Sequence, residues 1–151
     1  TVHANDAPST ITRLLDIGIP PFLLGSSLNL VMAQRLVRKI CIDCKEEYTP
    51  SEKELNRINT GSKIVKNTTI YHGKGCNKCR YTGYKGRTAI HEIMEIRQPI
   101  RKLILENANE EIIKEKAIEL GMTPLRDAGI DKVVNGQTTI HEVLRSTVED
   151  F

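Results

Sequence analysis

The sequence predicts an α/β chain: two helices and a strand, a cysteine-bearing insert, a return strand and a helical tail. Three observations predict it. Two stretches, 31–40 and 88–96, alternate apolar and polar residues as a strand does. Between them lie all four cysteines, as Cys41-Ile42-Asp43-Cys44 and Cys76-Asn77-Lys78-Cys79. Beyond residue 97, helix-start residues repeatedly precede half-apolar runs.

The first helix has Asp6 as cap, Pro8 in its first turn, and Ile11, Leu14, Leu15 and Ile17 on one face, closed by Gly18. Pro20-Pro21 restarts the chain into a second helix, about Phe22 to Leu30. In the strand that follows, the even-numbered residues Met32, Gln34, Leu36, Arg38 and Ile40 form the more apolar face. Its basic run Gln34-Arg35-Leu36-Val37-Arg38-Lys39 reads either as a solvated face or as a contact for an acidic partner.

Two C-x-x-C pairs separated by 31 residues read as two knuckles closing on one tetrahedral metal. Structural zinc is favoured, with disulfides and an iron–sulfur cluster as alternatives. Gly73 and Gly75 suit tight turns, and Lys74, Lys78 and Arg80 would offset thiolate charge. His72 stands near the second pair as a lesser metal candidate. Between the pairs, Thr49-Pro50-Ser51-Glu52 starts a short helix to about Ile58, 59–67 reads as loop, and Thr68 to His72 as a short strand. This interval holds too few large apolar residues for a core of its own, so metal would hold it together.

After the glycine-punctuated turn at 80–87 comes the return strand, 88–96. Pro99, Asn109, Thr123-Pro124 and a Thr139/Glu142 capping box then start four short helices, expected to pack as a bundle. The expected divisions are therefore 1–40, a tetracysteine insert at 41–80, a return strand at 81–97 and a helical part at 98–151.

With 39% hydrophobic and 27% charged residues, the 151-residue chain is expected to fold around a core. Paired thiols without a secretion signal favour a reducing, cytoplasmic setting. A net charge of +3 and 4% aromatics argue against a nucleic-acid platform, though a zinc-ribbon nucleic-acid or interaction module is the alternative class. His91-Glu92 and His141-Glu142 do not complete H-E-x-x-H, and both histidines read as surface or packing residues. No two glycines stand five apart, so the sequence contains no G-x-x-x-x-G-K-[ST] phosphate loop. The opening Thr1-Val2-His3, without an initiator methionine, reads as the interior of a longer protein.

Several blocks, in order, carry a resemblance: Thr1-Val2-His3-Ala4-Asn5-Asp6-Ala7, Thr12 to Gly18, Ala33-Gln34-Arg35-Leu36-Val37, the cysteine pairs, Gly83 to Ile93, and Gly136 to Arg145. Together they resemble the second half of the bacterial type II secretion and type IV pilus assembly ATPase family. The resemblance implies a RecA-like hexameric P-loop motor, with zinc bound by Cys41, Cys44, Cys76 and Cys79. It makes Thr1 to Asp6 the family's histidine box, with His3 at the γ-phosphate and Thr1, Asn5 and Asp6 in support. The tetracysteine insert points to the assembly or secretion branch rather than the retraction branch. ATP and magnesium would be cofactors of the full-length protein only, because the family's P-loop and Walker B lie upstream of the histidine box. This piece alone should therefore be inactive. The implied partners are its own upstream ATPase portion, neighbouring subunits, the inner-membrane platform protein and acidic lipid. The implied location is the cytoplasmic face of the inner membrane. Ala89 and His91 depart from the Gly and Tyr common in the family.

Overall fold

The computed structural model describes residues 4–58 and 68–147, and forms a mixed helix and strand structure. Its elements are α1 (Ala7–Asp16), α2 (Pro21–Ser27), β1 (Leu30–Ile40), β2 (Lys45–Tyr48), α3 (Glu52–Ile58), β3 (Ile70–Gly73), β4 (Tyr84–Glu95), α4 (Gln98–Leu105), α5 (Glu110–Glu119), α6 (Leu125–Val134) and α7 (Ile140–Ser146). The loop reading of 59–67 falls outside the described residues. β1 pairs with β4, and β2 pairs with β3 antiparallel in the register Lys45↔Gly73 to Tyr48↔Ile70. The described residues divide into two compact units, 4–34 with 91–125, and 35–58 and 68–90 with 126–147. α4 and α5 thus belong to the first unit, and α6 (save its first residue, Leu125) and α7 to the second.

In the first unit the polar caps and the apolar stripes act together. The Asp6 carboxylate accepts the Ser9 N–H at 2.9 Å while the Ser9 hydroxyl accepts the Asp6 N–H at 3.1 Å, so two of the orphan amides at the start of α1 are satisfied locally. The Asn109 side chain accepts the Ile112 N–H at 2.9 Å and starts α5 in the same way. Ala7 and Ile11 of α1, Leu24 of α2, Met94 of β4, Ile100 and Ile104 of α4, and Ile113 and Ala117 of α5 form one buried cluster. Each large member contributes roughly 1.5–3 kcal/mol by leaving water.

The alternation in β1 is real, but as far as Val37 the strand buries the face opposite the more apolar one, and only at Ile40 does the even-numbered face become buried. Val31 and Val37 are buried, whereas Leu30, Met32 and Leu36 are about half exposed. Alternation fixes which residues share a face; the position of the packed elements decides which face is covered. β4 alternates as expected, with Ile90, Glu92 and Met94 all buried. A carboxylate therefore occupies a core position between two apolar neighbours.

In the second unit the short helix between the cysteine pairs is stapled by a capping box. The Ser51 hydroxyl accepts the Glu54 N–H at 3.3 Å, and the Glu54 carboxylate accepts the Ser51 N–H at 2.9 Å. Ile58 and Ile70, which flank the second half of the cysteine interval, are buried with Ile130, Val133, Ile140 and Val143. The interval thus has an apolar anchor, borrowed from α6 and α7 rather than built from its own residues. Gly129 makes the close packing there possible, since a Cβ on it would come within 2.6 Å of Val143 Cγ1.

Candidate metal centre

Both cysteine pairs sit on one-turn 3-10 segments, Ile42–Cys44 and Asn77–Cys79. The first follows directly from the end of β1, where Cys41 donates its backbone N–H to the Gly83 carbonyl at 2.9 Å. The second is closed by the Cys79 N–H to the Cys76 carbonyl at 3.1 Å and by the Tyr81 N–H to the same carbonyl at 2.9 Å. That second closure requires a left-handed backbone at Arg80 and Tyr81, with φ of 54° and 60°. The two knuckles are brought together by β2 and β3, whose pairing ends at Lys45↔Gly73. Gly73 lies so close to Gly83 that a Cβ would fall 2.0 Å from the Gly83 carbonyl oxygen. Glycine is required here by space rather than by a positive φ.

The result is four sulfurs within 4.8 Å of one another. Cys41 and Cys76 are 4.0 Å apart, Cys44 and Cys79 3.8 Å, and Cys76 and Cys79 3.8 Å. A tetrahedron with metal–sulfur bonds of about 2.3 Å has sulfur–sulfur edges of about 3.8 Å, so the cluster has the dimensions of a four-thiolate site. These separations are far beyond a disulfide bond of about 2.05 Å, and all four thiols are free.

Backbone amides support the sulfurs. Gly75 donates to Cys44 Sγ at 3.3 Å, Cys76 to Cys79 Sγ at 3.2 Å, and Gly83 to Cys79 Sγ at 3.3 Å. Burial pushes the Cys41 thiol up and the Cys44 thiol up to about 12. Burial acts the same way on Cys79, but the N–H groups of Cys76 and Gly83 outweigh it and draw that thiol down to about 6. Metal binding at this cluster must therefore displace protons, and Cys79 yields its own most readily. Of the flanking cations, Lys78 pairs with Asp43 at 2.6 Å and Lys74 with Glu46 at 3.2 Å. Their charge is spent largely on carboxylates, and the amides take the larger part in stabilising sulfur.

His72 stands apart from the four sulfurs, with its ring set edge-on to Tyr48 at 5.1 Å. His3 and Thr1 lie outside the described residues. Asp6 is the α1 cap and pairs with Lys114 at 3.0 Å. His91 and His141 are exposed, in keeping with a surface reading. The residues missed in the sequence are their neighbours. Glu92 is 1% exposed and Glu142 0%. Glu92 accepts the backbone N–H groups of Ala7 at 2.7 Å and Leu125 at 2.9 Å. Glu142 accepts the Arg38 N–H at 3.0 Å and the Arg38 guanidinium at 2.6 Å, and takes Arg145 through both oxygens at 3.1 and 3.0 Å. Arg38 also lies over the Tyr84 ring, 4.2 Å from its centre. The basic run of β1 therefore spends Arg38 on an internal carboxylate. Strand alternation was the available signal for Glu92, since it falls in step with Ile90, Met94 and Ile96.

Among the described residues, no helix is long and apolar enough to cross a membrane. A family described as type II/IV secretion system protein matches residues 1–145. The chain belongs to this family of bacterial secretion and pilus proteins. It is 40% identical over 151 residues to the type IV pilus assembly ATPase PilB of Myxococcus xanthus, covering 99% of this chain and 27% of that protein. It is 44% identical over 150 residues to type II secretion system protein E of Aeromonas hydrophila, covering 99% of this chain and 29% of that protein. With the type II secretion system ATPase E of Vibrio cholerae it shares 44% identity over 149 residues, 99% of this chain and 29% of the relative. The chain thus spans under a third of the length of these relatives.

Proposed function

We propose that this chain is the C-terminal portion of a hexameric, RecA-like motor ATPase that powers type IV pilus assembly or type II secretion. The observation that carries the reading is the coincidence of the family match over residues 1–145 with a four-sulfur cluster of tetrahedral dimensions. Zinc is the metal that suits four thiolates filling a tetrahedral site, with backbone amides on Cys44 and Cys79, and its role is structural. It locks β2 against β3 and fixes the turn that returns the chain to β4. The tetracysteine module is then a staple and a docking surface for the inner-membrane platform protein, with acidic lipid as a further contact at the cytoplasmic face of the membrane.

ATP hydrolysis belongs to the full-length protein, where ATP and magnesium would be held by a phosphate loop and acidic residues that this sequence does not contain. This piece contributes His3 near the γ-phosphate, with Thr1, Asn5 and Asp6 in support. By itself it should not turn over ATP.

Two measurements test the reading. Metal analysis of the purified chain should return one zinc, lost in Cys41→Ser or Cys76→Ser; full occupancy in both variants would overturn the four-thiolate site. In the full-length protein His3→Ala should lower ATP turnover by about 10²-fold or more while the fold persists. Turnover at the wild-type rate would remove His3 from the reaction.

A further inference from the structure

Glu92 is a buried carboxylate that takes no part in the metal centre and is not among the residues Thr1 to Asp6. It sits on β4 between Ile90 and Met94, all three within 1% of complete burial. An apolar residue would fill that place in the alternation at far lower desolvation cost. The carboxylate has a specific pair of partners. Oε1 accepts the N–H of Ala7 at 2.7 Å, and Oε2 accepts the N–H of Leu125 at 2.9 Å. Ala7 is the first residue of α1 and Leu125 the first of α6, so both amides are ones a helix leaves without an internal partner. A charged acceptor there is favoured by the hydrogen bond and by the helix dipole together.

The junction at Asp6–Ala7 is held from a second direction. Asp6 Oδ1 takes the Ser9 N–H at 2.9 Å, and Oδ2 takes the Lys114 ammonium of α5 at 3.0 Å. The start of α1 is thus fixed by its own cap, by β4 and by α5. The segment fixed is the one that ends the Thr1 to Asp6 block.

We propose that Glu92 is a positioning residue for the histidine-box segment, setting through the Ala7 amide where that segment enters α1, with Lys114 as a second anchor through Asp6. This rests on the assignment of residues 1–6 as the histidine box. Glu92 touches no substrate; it acts by holding the backbone four residues beyond His3. Small misplacements of a positioned group cost up to about 10²-fold in rate without a comparable change in ground-state binding.

The test uses the full-length protein with MgATP. Glu92→Gln keeps the size but sets an amide NH2 against one of the two N–H donors. It should lower kcat about tenfold, change KM for ATP less than about twofold, and speed hydrogen exchange at the Ala7 and Ser9 amides about tenfold. Lys114→Met should lower kcat in the same direction, and it carries the test if Glu92→Gln does not fold. Thr139→Ala, which removes the α7 cap in the other unit, matches the loss of stability and should leave kcat within about twofold. Combined with His3→Ala, Glu92→Gln should cost nothing further. Wild-type kcat in both Glu92→Gln and Lys114→Met, while His3→Ala is impaired, would overturn the anchoring alone. Losses that multiply with His3→Ala would do the same. Full turnover in His3→Ala would overturn the histidine-box assignment, and the anchoring with it.

Discussion

Glu142 and Glu92 show how differently two buried carboxylates can be held. Burial raises the pKa of both. At Glu142 the guanidinium groups of Arg38 and Arg145 outweigh burial and hold the acid down at about 2. At Glu92 burial, aided by the Asp6 charge, outweighs the Ala7 and Leu125 amides and the Lys114 charge, and keeps the acid above its ordinary value. The signs for stability are therefore opposite. Glu142, depressed in the folded state, stabilises fully above the unfolded carboxylate range, and that contribution is lost as pH falls toward about 2. Glu92, raised in the folded state, favours folding most below the unfolded range and contributes less as pH rises through its folded value. Removing Glu142 leaves Arg38 and Arg145 without their shared acceptor, so Glu142→Ala should cost about 3 kcal/mol at neutral pH. Urea unfolding should show the gap between variant and wild type narrowing from pH 7 to pH 3. A gap independent of pH would mean that packing, not charge, holds α7 to Arg38.

Among the elements, the strands depend on glycine for two separate reasons, one at Gly73 in β3 and one at Gly86 in β4. Gly73→Ala would drive a Cβ to 2.0 Å from a backbone oxygen of Gly83, where neither partner can yield. Gly86→Ala meets no atom within 4 Å but must adopt a φ of 79°. The first substitution should cost more than about 3 kcal/mol and loosen the metal, while the second costs about 1 kcal/mol with metal retained. Thermal melts with metal analysis would separate them, and equal costs would contradict the contact. What the sequence revealed follows the same division. Asp6, Ser51 and Asn109 cap helices as their spacing implies, because capping is decided within four residues. At Thr139 only half of the expected box forms. The hydroxyl accepts the Glu142 N–H at 3.3 Å, but the Glu142 carboxylate turns to Arg38, a partner 104 residues away. β2 was not foreseen, since Lys45-Glu46-Glu47-Tyr48 has no apolar alternation and becomes a strand only by pairing with β3. The exposure of Met32 and Leu36 in β1 escaped notice for a related reason: composition ranks faces, but tertiary packing chooses between them.

At the scale of the whole molecule, the two units differ in what holds them. The first contains no cysteine and rests on the cluster of Ile11, Met94, Ile100, Ile104 and Ile113. The second has the smaller cluster of Ile58, Ile70, Ile130, Val133, Ile140 and Val143, plus the four sulfurs. The spacing of the cysteine pairs announced that site, because C-x-x-C fixes ligand geometry locally; the amides of Gly75 and Gly83 that donate to sulfur depend on the folded turns. Metal binding in such a site contributes directly to folding free energy. Without metal, four thiols must share a space suited to thiolates, and burial holds Cys41 and Cys44 in the protonated form. Removing metal should therefore loosen the second unit selectively. With a chelator present, amide exchange should accelerate first at Lys45–Tyr48 and Ile70–Gly73, then at the knuckles. The amides of Ile100, Ile104 and Ile113 should keep their protection, since their cluster contains no cysteine. Because Ile58 and Ile70 are anchored on α6 and α7, the second unit should retain part of its protection at Ile130 and Val133 rather than unfold outright. Uniform loss of protection through both units would show instead that metal governs a single cooperative transition of the entire chain.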